Sequence, residues 1–148
     1  MNILYILMKN DLPSMSAGRA AAQASHASNA FIHRFGTLAA ATEWSQSTPQ
    51  GFGTAIVLGT TLAELRALLD KAGNTGFLGE AIIDPDYAIS ISSELVPFLD
   101  KSSRDFTIEP SEVDPKRVIL HRSETTCGYI FGNKEQLQPL LGAIPLYS

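Results

Sequence analysis

Between Ala17 and Phe35 the chain carries seven alanines, one glycine near the start and no proline, with Ser16 before it and Gly36 after it. Alanine is the strongest helix former, because it loses no side-chain freedom on ordering. Ser14 or Ser16 stands where a side chain can cap the first free N–H groups, and Gly36 where a helix stops. The run therefore predicts a helix over 17–35. Its many small residues let it lie very close to its neighbour, and the neighbour that fits such a face is a sheet.

The rest of the chain supplies that sheet. Asn2 to Met8 is rich in aliphatics and ends at the breakers Asn10, Asp11 and Pro13, which reads as a buried strand. An Ala-rich helical stretch, Thr37 to Trp44, leads into the Ser45–Phe52 loop, and Gly53 to Leu58 reads as a second strand. Thr61 and Glu64 have the spacing of a capping box. After them Leu62, Leu65, Leu68, Leu69 and Ala72 line one helical face, closed by Gly73 and Asn74. Phe77 to Ile83 is a third strand. Strands separated by helices imply a parallel or mixed sheet with right-handed crossovers. The expectation is a single compact α/β domain, a small mixed β-sheet flanked by helices. Ile89 to Glu124 holds Pro97, Pro110, Pro115 and most of the acids and reads as an insertion, with a short strand at Val118-Ile119-Leu120. Thr126 to Phe131 is the last strand, and Asn133 caps a short closing helix that Pro139 must distort.

Composition narrows the class. At 148 residues and 45% hydrophobic, the chain is long enough for one domain with its own core. Cys127 is the only cysteine, which excludes an internal disulfide and a cysteine-rich zinc site. The longest apolar runs fall far short of the ~18 residues of a membrane helix. The first residues have no basic region or small-residue cleavage site, so they do not read as a signal peptide. The expected location is cytoplasmic, with no membrane partner. Net charge is -4, unlike a nucleic-acid binder. Nine acids and two bases lie between Gly79 and Asp114, so the remainder is mildly cationic and able to meet a phosphate backbone weakly.

Candidate chemistry concentrates in the first helix. Arg19, Gln23 and His26 fall within about 60° of one another at ~100° per residue, a polar stripe expected to point away from the packed alanines. Arg19 stands in the first turn, where the helix dipole disfavours a cation and free N–H groups attract anions. That placement calls for an anionic ligand or a carboxylate partner, although an ordinary wet helix face accounts equally well for the stripe. Asp84 follows Ile82-Ile83 at the carboxyl end of a predicted strand, the edge where α/β sheets gather ligands, and would share it with Arg19 if the strands are parallel. The plainer reading of Asp84-Pro85 is a turn. His33 and His121 show no metal-ligand spacing, Gly51-Phe52-Gly53 is not a dinucleotide fingerprint, and Cys127 reads as a buried apolar residue.

The stretch Met15-Ser16-Ala17-Gly18-Arg19-Ala20-Ala21-Ala22-Gln23-Ala24-Ser25-His26-Ala27 resembles the first-helix signature of the type II peptidyl-tRNA hydrolases, Met-Ser-x-Gly-Lys-x-Ala-Ala-Gln-x-x-His-Ala. The opening strand into Asn10-Asp11-Leu12, the strand from Gly53, the Leu-rich helix and Ile83-Asp84 follow in the family's order. So does Gly128-Tyr129-Ile130-Phe131-Gly132 through Leu146-Tyr147. The resemblance implies a small mixed-sheet α/β domain, often a homodimer. It also implies hydrolysis, without a metal or other cofactor, of the ester joining a peptide to the 3′ ribose of tRNA. By position, Arg19 stands for the family's functional lysine, Gln23 and His26 match, and Asp84 matches the aspartate of an Asp-Ala-Gly-x-Thr turn. Catalytic roles then fall to Arg19, Asp84 and His26, and substrate binding to Gly18, Gln23 and Thr126, with Thr125 or Thr126 a source for the missing hydroxyl.

Two departures stand out. The turn reads Asp84-Pro85-Asp86-Tyr87-Ala88, without its glycine and threonine, and arginine, unlike lysine, cannot act as a base. Three readings follow: a peptidyl-tRNA hydrolase-like esterase, a non-catalytic relative serving as a binding or regulatory module, and a hydrolase of another small substrate.

Overall fold

The computed structural model describes residues 1–12, 14–100 and 105–148; Pro13, read above as a breaker, and the cations Lys101 and Arg104 lie outside the described residues. Along the chain run β1 (Asn2–Lys9), α1 (Ala17–Phe35), α2 (Ala39–Ser45), β2 (Ala55–Thr60), α3 (Leu62–Asn74), β3 (Leu78–Ser92), a 3-10 helix (Ser93–Phe98), β4 (Phe106–Pro110), β5 (Arg117–Asn133) and α4 (Lys134–Leu141). The expected α/β class holds, with a mixed five-stranded sheet in the order β2-β1-β5-β3 and β4 also paired to β5. β1 is parallel to β2 and antiparallel to β5. A Cβ on Gly79 would meet Tyr129 O at 2.9 Å, and one on Gly128 would meet Glu80 O at 3.0 Å. Rising numbers on β3 thus face falling numbers on β5, so β3 is antiparallel to β5 and runs with β1.

The chain divides into two compact units, Met1–Ile82 with Thr126–Ser148 and Ile83–Thr125. In the first unit the period-2 alternation of β1 sends alternate residues to opposite faces. Leu4, Ile6 and Met8 pack with Ala20, Ala27 and Phe31 of α1 and Ala41 and Trp44 of α2. Ile3, Tyr5 and Leu7 pack with Leu65, Leu68 and Ala72 of α3 and Leu137 and Leu141 of α4. Phe31 sets its ring edge-on to Trp44 and Tyr129 at centroid distances of 5.5 and 5.7 Å. Trp44 in turn lies over Gly53, where a Cβ would overlap the indole, and donates to Thr54 O at 2.8 Å.

The helix boundaries match the expectation closely. Ser16 caps α1, which spans Ala17–Phe35, and the Thr61–Glu64 capping box opens α3. α4 starts at its Asn133 cap and continues through Pro139 to Leu141. The strands differ. β3 does not stop at Ile83, and Asp84 stands inside a strand of fifteen residues, so neither the strand end nor the Asp-Pro turn is found. Pro85 lacks a ladder N–H, yet β3 is the last strand of its sheet, where one unpaired edge tolerates proline. Val118–Leu120 and Thr126–Phe131 are not two strands but one, β5.

The second unit holds most of β3, the 3-10 helix, β4 and the first half of β5. β4 pairs antiparallel with β5 from Phe106↔Arg122 to Pro110↔Val118. Arg117 secures β3 on the other side through Nε to Ser90 Oγ and Nη2 to Ser90 O, both 2.7 Å. Ser93 closes the turn before Arg117 by bonding Lys116 O through both N–H and Oγ.

Candidate active site

α1 begins where the chain returns from the carboxyl end of β1. Ser16 Oγ accepts from Arg19 N at 3.3 Å, which fixes the first turn. Arg19 is half-buried, and its Nη1 donates to Ser14 O at 3.3 Å, so the guanidinium is folded back over the segment that leads into the helix. The first turn contains no acid, leaving a cation and the free N–H groups as its local charge. Gly18 is exposed, and a Cβ there would meet nothing within 4 Å.

The expected polar stripe is split by packing. The buried residues of α1 are Ala20, Gln23, Ala27 and Phe31. At about 100° per residue, Gln23 falls about 45° from the centre of that buried face, Arg19 about 85° and His26 about 105°. Gln23 accordingly points inward, 4% exposed, while His26 is exposed and its ring makes no hydrogen bond or ion pair with a described residue.

Gln23 meets Thr126, the pair that the structure does bring together. Thr126 is fully buried, and its hydroxyl donates to Gln23 Oε1 at 2.6 Å. Next to it, Cys127 Sγ–H donates to Gln23 O at 3.4 Å. Burial pushes the Cys127 thiol up to about 12, against a smaller opposing effect of the Thr126 hydroxyl, so Cys127 is a packed thiol rather than a nucleophile. One helix position is thus anchored to β5 through both side chain and backbone. A hydroxyl committed to Oε1 also fixes which end of the Gln23 amide faces Thr126, because only the oxygen accepts.

Two residues at this end of the sheet escaped the sequence reading. Lys9, the last residue of β1, is 5% exposed, and Thr60, its partner in the parallel register, is fully buried. Thr60 Oγ1 lies 3.4 Å from Met8 O. One step past the last antiparallel pair, Met8↔Cys127, the same register sets Thr126 opposite Lys9. A signal was present: a lysine closing an otherwise apolar strand, at the carboxyl end that α/β sheets reserve for ligands.

Asp84 belongs to the second unit. It is half-buried within β3, and its Oδ1 accepts from Asp86 N at 3.0 Å, a local bond of the kind aspartate makes two residues on.

The fold and these side chains define an α/β protein with buried polar groups gathered around the first helix and the strand ends beside it. The chain belongs to the peptidyl-tRNA hydrolase PTH2 family, whose sequence model matches residues 2–93, from β1 to just past β3. That stretch contains Gly18, Arg19, Gln23, His26 and Asp84, and Thr126 lies beyond it. No curated protein matches the chain.

Proposed function

We propose that this chain is an esterase that hydrolyses the bond between a peptide and the 3′ ribose of tRNA. The observation that carries the reading is Gln23, buried and held by Thr126 one helical turn after Arg19, inside the stretch that matches the family. In this reading Asp84 orients the attacking water and takes its proton as the water oxygen bonds to the ester carbonyl carbon. Arg19, permanently cationic and able to donate in a fork, stabilises the resulting oxyanion or holds the terminal phosphate, helped by Gln23 and by N–H groups at the start of α1. The carbon–oxygen bond to the ribose then breaks, and the 3′ oxygen regains a proton. Gly18 leaves room for the substrate's terminal nucleotide, Thr126 holds Gln23 in position, and His26 supplies a peripheral hydrogen bond. Peptide release from peptidyl-tRNA is the test. Asp84→Ala should slow it by about 100-fold or more, in line with loss of a general base; equal rates would remove Asp84 from the mechanism.

A second reading is a non-catalytic relative that binds a partner, with hydrolysis of another small substrate as a further variant. It is favoured by the setting of Asp84 in a continuous strand, with Asp86 and Ala88 at the positions of the turn's glycine and threonine. A tRNA titration separates the two, since no binding even at low salt would favour the module. The esterase reading also takes the protein to be a cytoplasmic homodimer and takes 89–124 to be an insertion atypical of the family. Among the described residues no helix is long and apolar enough to cross a membrane.

A further inference from the structure

His121 of β5 has a carboxylate on each ring nitrogen: Nδ1 lies 3.0 Å from Asp86 Oδ1 of β3, and Nε2 lies 3.0 Å from Glu109 Oε1 of β4. All three residues belong to the second unit. The register explains the reach. His121 stands opposite Thr107, so Glu109 is its diagonal neighbour on the same face of the β4–β5 ladder, while β3 flanks β5 on the other side. An ionised carboxylate only accepts hydrogen bonds, and a neutral imidazole has one N–H to give. Both contacts are satisfied together only by the doubly protonated ring.

We infer that His121 is a pH-operated clamp, tying β3 and β4 to β5 within the second unit as an imidazolium and releasing one of them when it loses its proton. No feature of the proposed esterase reaction is needed for this role. The groups around the ring are almost all acidic. Asp86 faces it from β3, Glu109 from β4, and Asp105, just before β4, lines the same open cavity of about 550 Å3 together with Thr107 and Ser123. On β5 itself the adjacent cation, Arg122, is engaged by Glu124 at 2.6 Å. The imidazole is 23% exposed, so water can exchange its proton. The hydrogen bond to Glu109, and then that to Asp86, hold the His121 pKa above its ordinary 6.5 against a partial desolvation that works the other way. A raised histidine pKa means that the clamp is complete below pH 6.5 and is lost as pH climbs through the raised value.

The ring resonances of His121 in the full chain, followed by NMR across this range, test the clamp. The midpoint should lie above 6.5, and Glu109→Gln and Asp86→Asn should each bring it down, Glu109→Gln by more. Amide exchange in β4 and in Val118–Arg122, corrected for intrinsic base catalysis, should accelerate severalfold across the same midpoint. In His121→Gln the acceleration should vanish, with exchange already fast at low pH. A wild-type midpoint at or below 6.5, or no exchange step at the midpoint, would overturn the inference, and both readouts stand even if a variant fails to fold.

Discussion

A buried hydroxyl helps to tie the first helix to the longest strand. Thr126 and Gln23 are 103 residues apart, and both side chains are shut away from water, so the 2.6 Å bond between them has no solvent substitute. Thr126→Val keeps the shape and removes the donor from Gln23 Oε1, which should cost about 1–3 kcal/mol in a denaturant titration. Thr126→Ser should recover most of that loss. If Gln23 is a working group, Thr126→Val should also lower kcat in the peptide-release assay. A second prediction concerns the neighbouring thiol. Cys127 has its pKa raised from 9.0 to about 12, so the folded state holds its proton where the unfolded chain has lost it. Its contribution is intact below about pH 9 and is lost between there and pH 12, and a thiol reagent at neutral pH should modify Cys127 only at the rate of unfolding. At this scale the sequence was half legible. The residue types and spacing of Arg19, Gln23 and His26 were visible, but spacing placed them on one stripe, whereas the depth of packing put Gln23 inside and left His26 in water. Lys9 was passed over because burial at a strand end is decided by what covers it.

Elements set by local chemistry were the readable ones. α1 and α3 carry their own start signals, Ser16 in one and the Thr61–Glu64 box in the other, so their bounds follow from neighbouring residues. At α3 the box is doubled: Thr61 Oγ1 accepts from Glu64 N, Glu64 Oε2 accepts from Thr61 N at 2.7 Å, and Asp11 Oδ2 accepts from Leu62 N at 3.0 Å. Thr61→Ala should therefore destabilise the fold by about 1 kcal/mol, measured by thermal or denaturant unfolding. The bonds from Thr61 also hold the Glu64 carboxyl below its ordinary value of 4.5. A lowered carboxyl pKa stabilises above the ordinary value and is lost as pH falls through the lowered one, so the gap between wild type and Thr61→Ala should narrow in acid. Strands β3 and β5 were misread because their lengths have no local author. Pro85, Asp84 and Asp86 all argue for a break, and the ladder continues because β5 lies alongside, as the Ser90–Arg117 and Asp86–His121 contacts show. What read as an insertion contains the end of β3, all of β4 and the start of β5, and β4 and β5 pair with each other there.

For the whole molecule the controlling quantity is the distribution of charge. The 148 residues sum to -4, and the segment Ile83–Thr125 has nine acids against five bases, so it carries that entire excess while the remainder is balanced. A substrate of tRNA class brings a dense phosphate charge, and each phosphate neutralised adds about 0.9 to the slope of log affinity against log salt for a duplex. A balanced body with few clustered cations makes few such contacts. Binding of deacylated tRNA should therefore be weak, with a slope of magnitude below about 3, measured by titration from low to physiological salt. The acidic segment should act on this binding through its field, since the Debye length is about 30 Å at 10 mM salt and about 8 Å at 150 mM. Glu112→Gln combined with Glu94→Gln removes two exposed negative charges that are distant in sequence from Gln23 and are not among the carboxylates bonded to His121. The pair should tighten tRNA binding severalfold at 10 mM salt and leave it nearly unchanged at 150 mM. An equal gain at both salts would mean that these side chains touch the RNA directly, and no gain at either would mean that the segment's charge is irrelevant to this ligand.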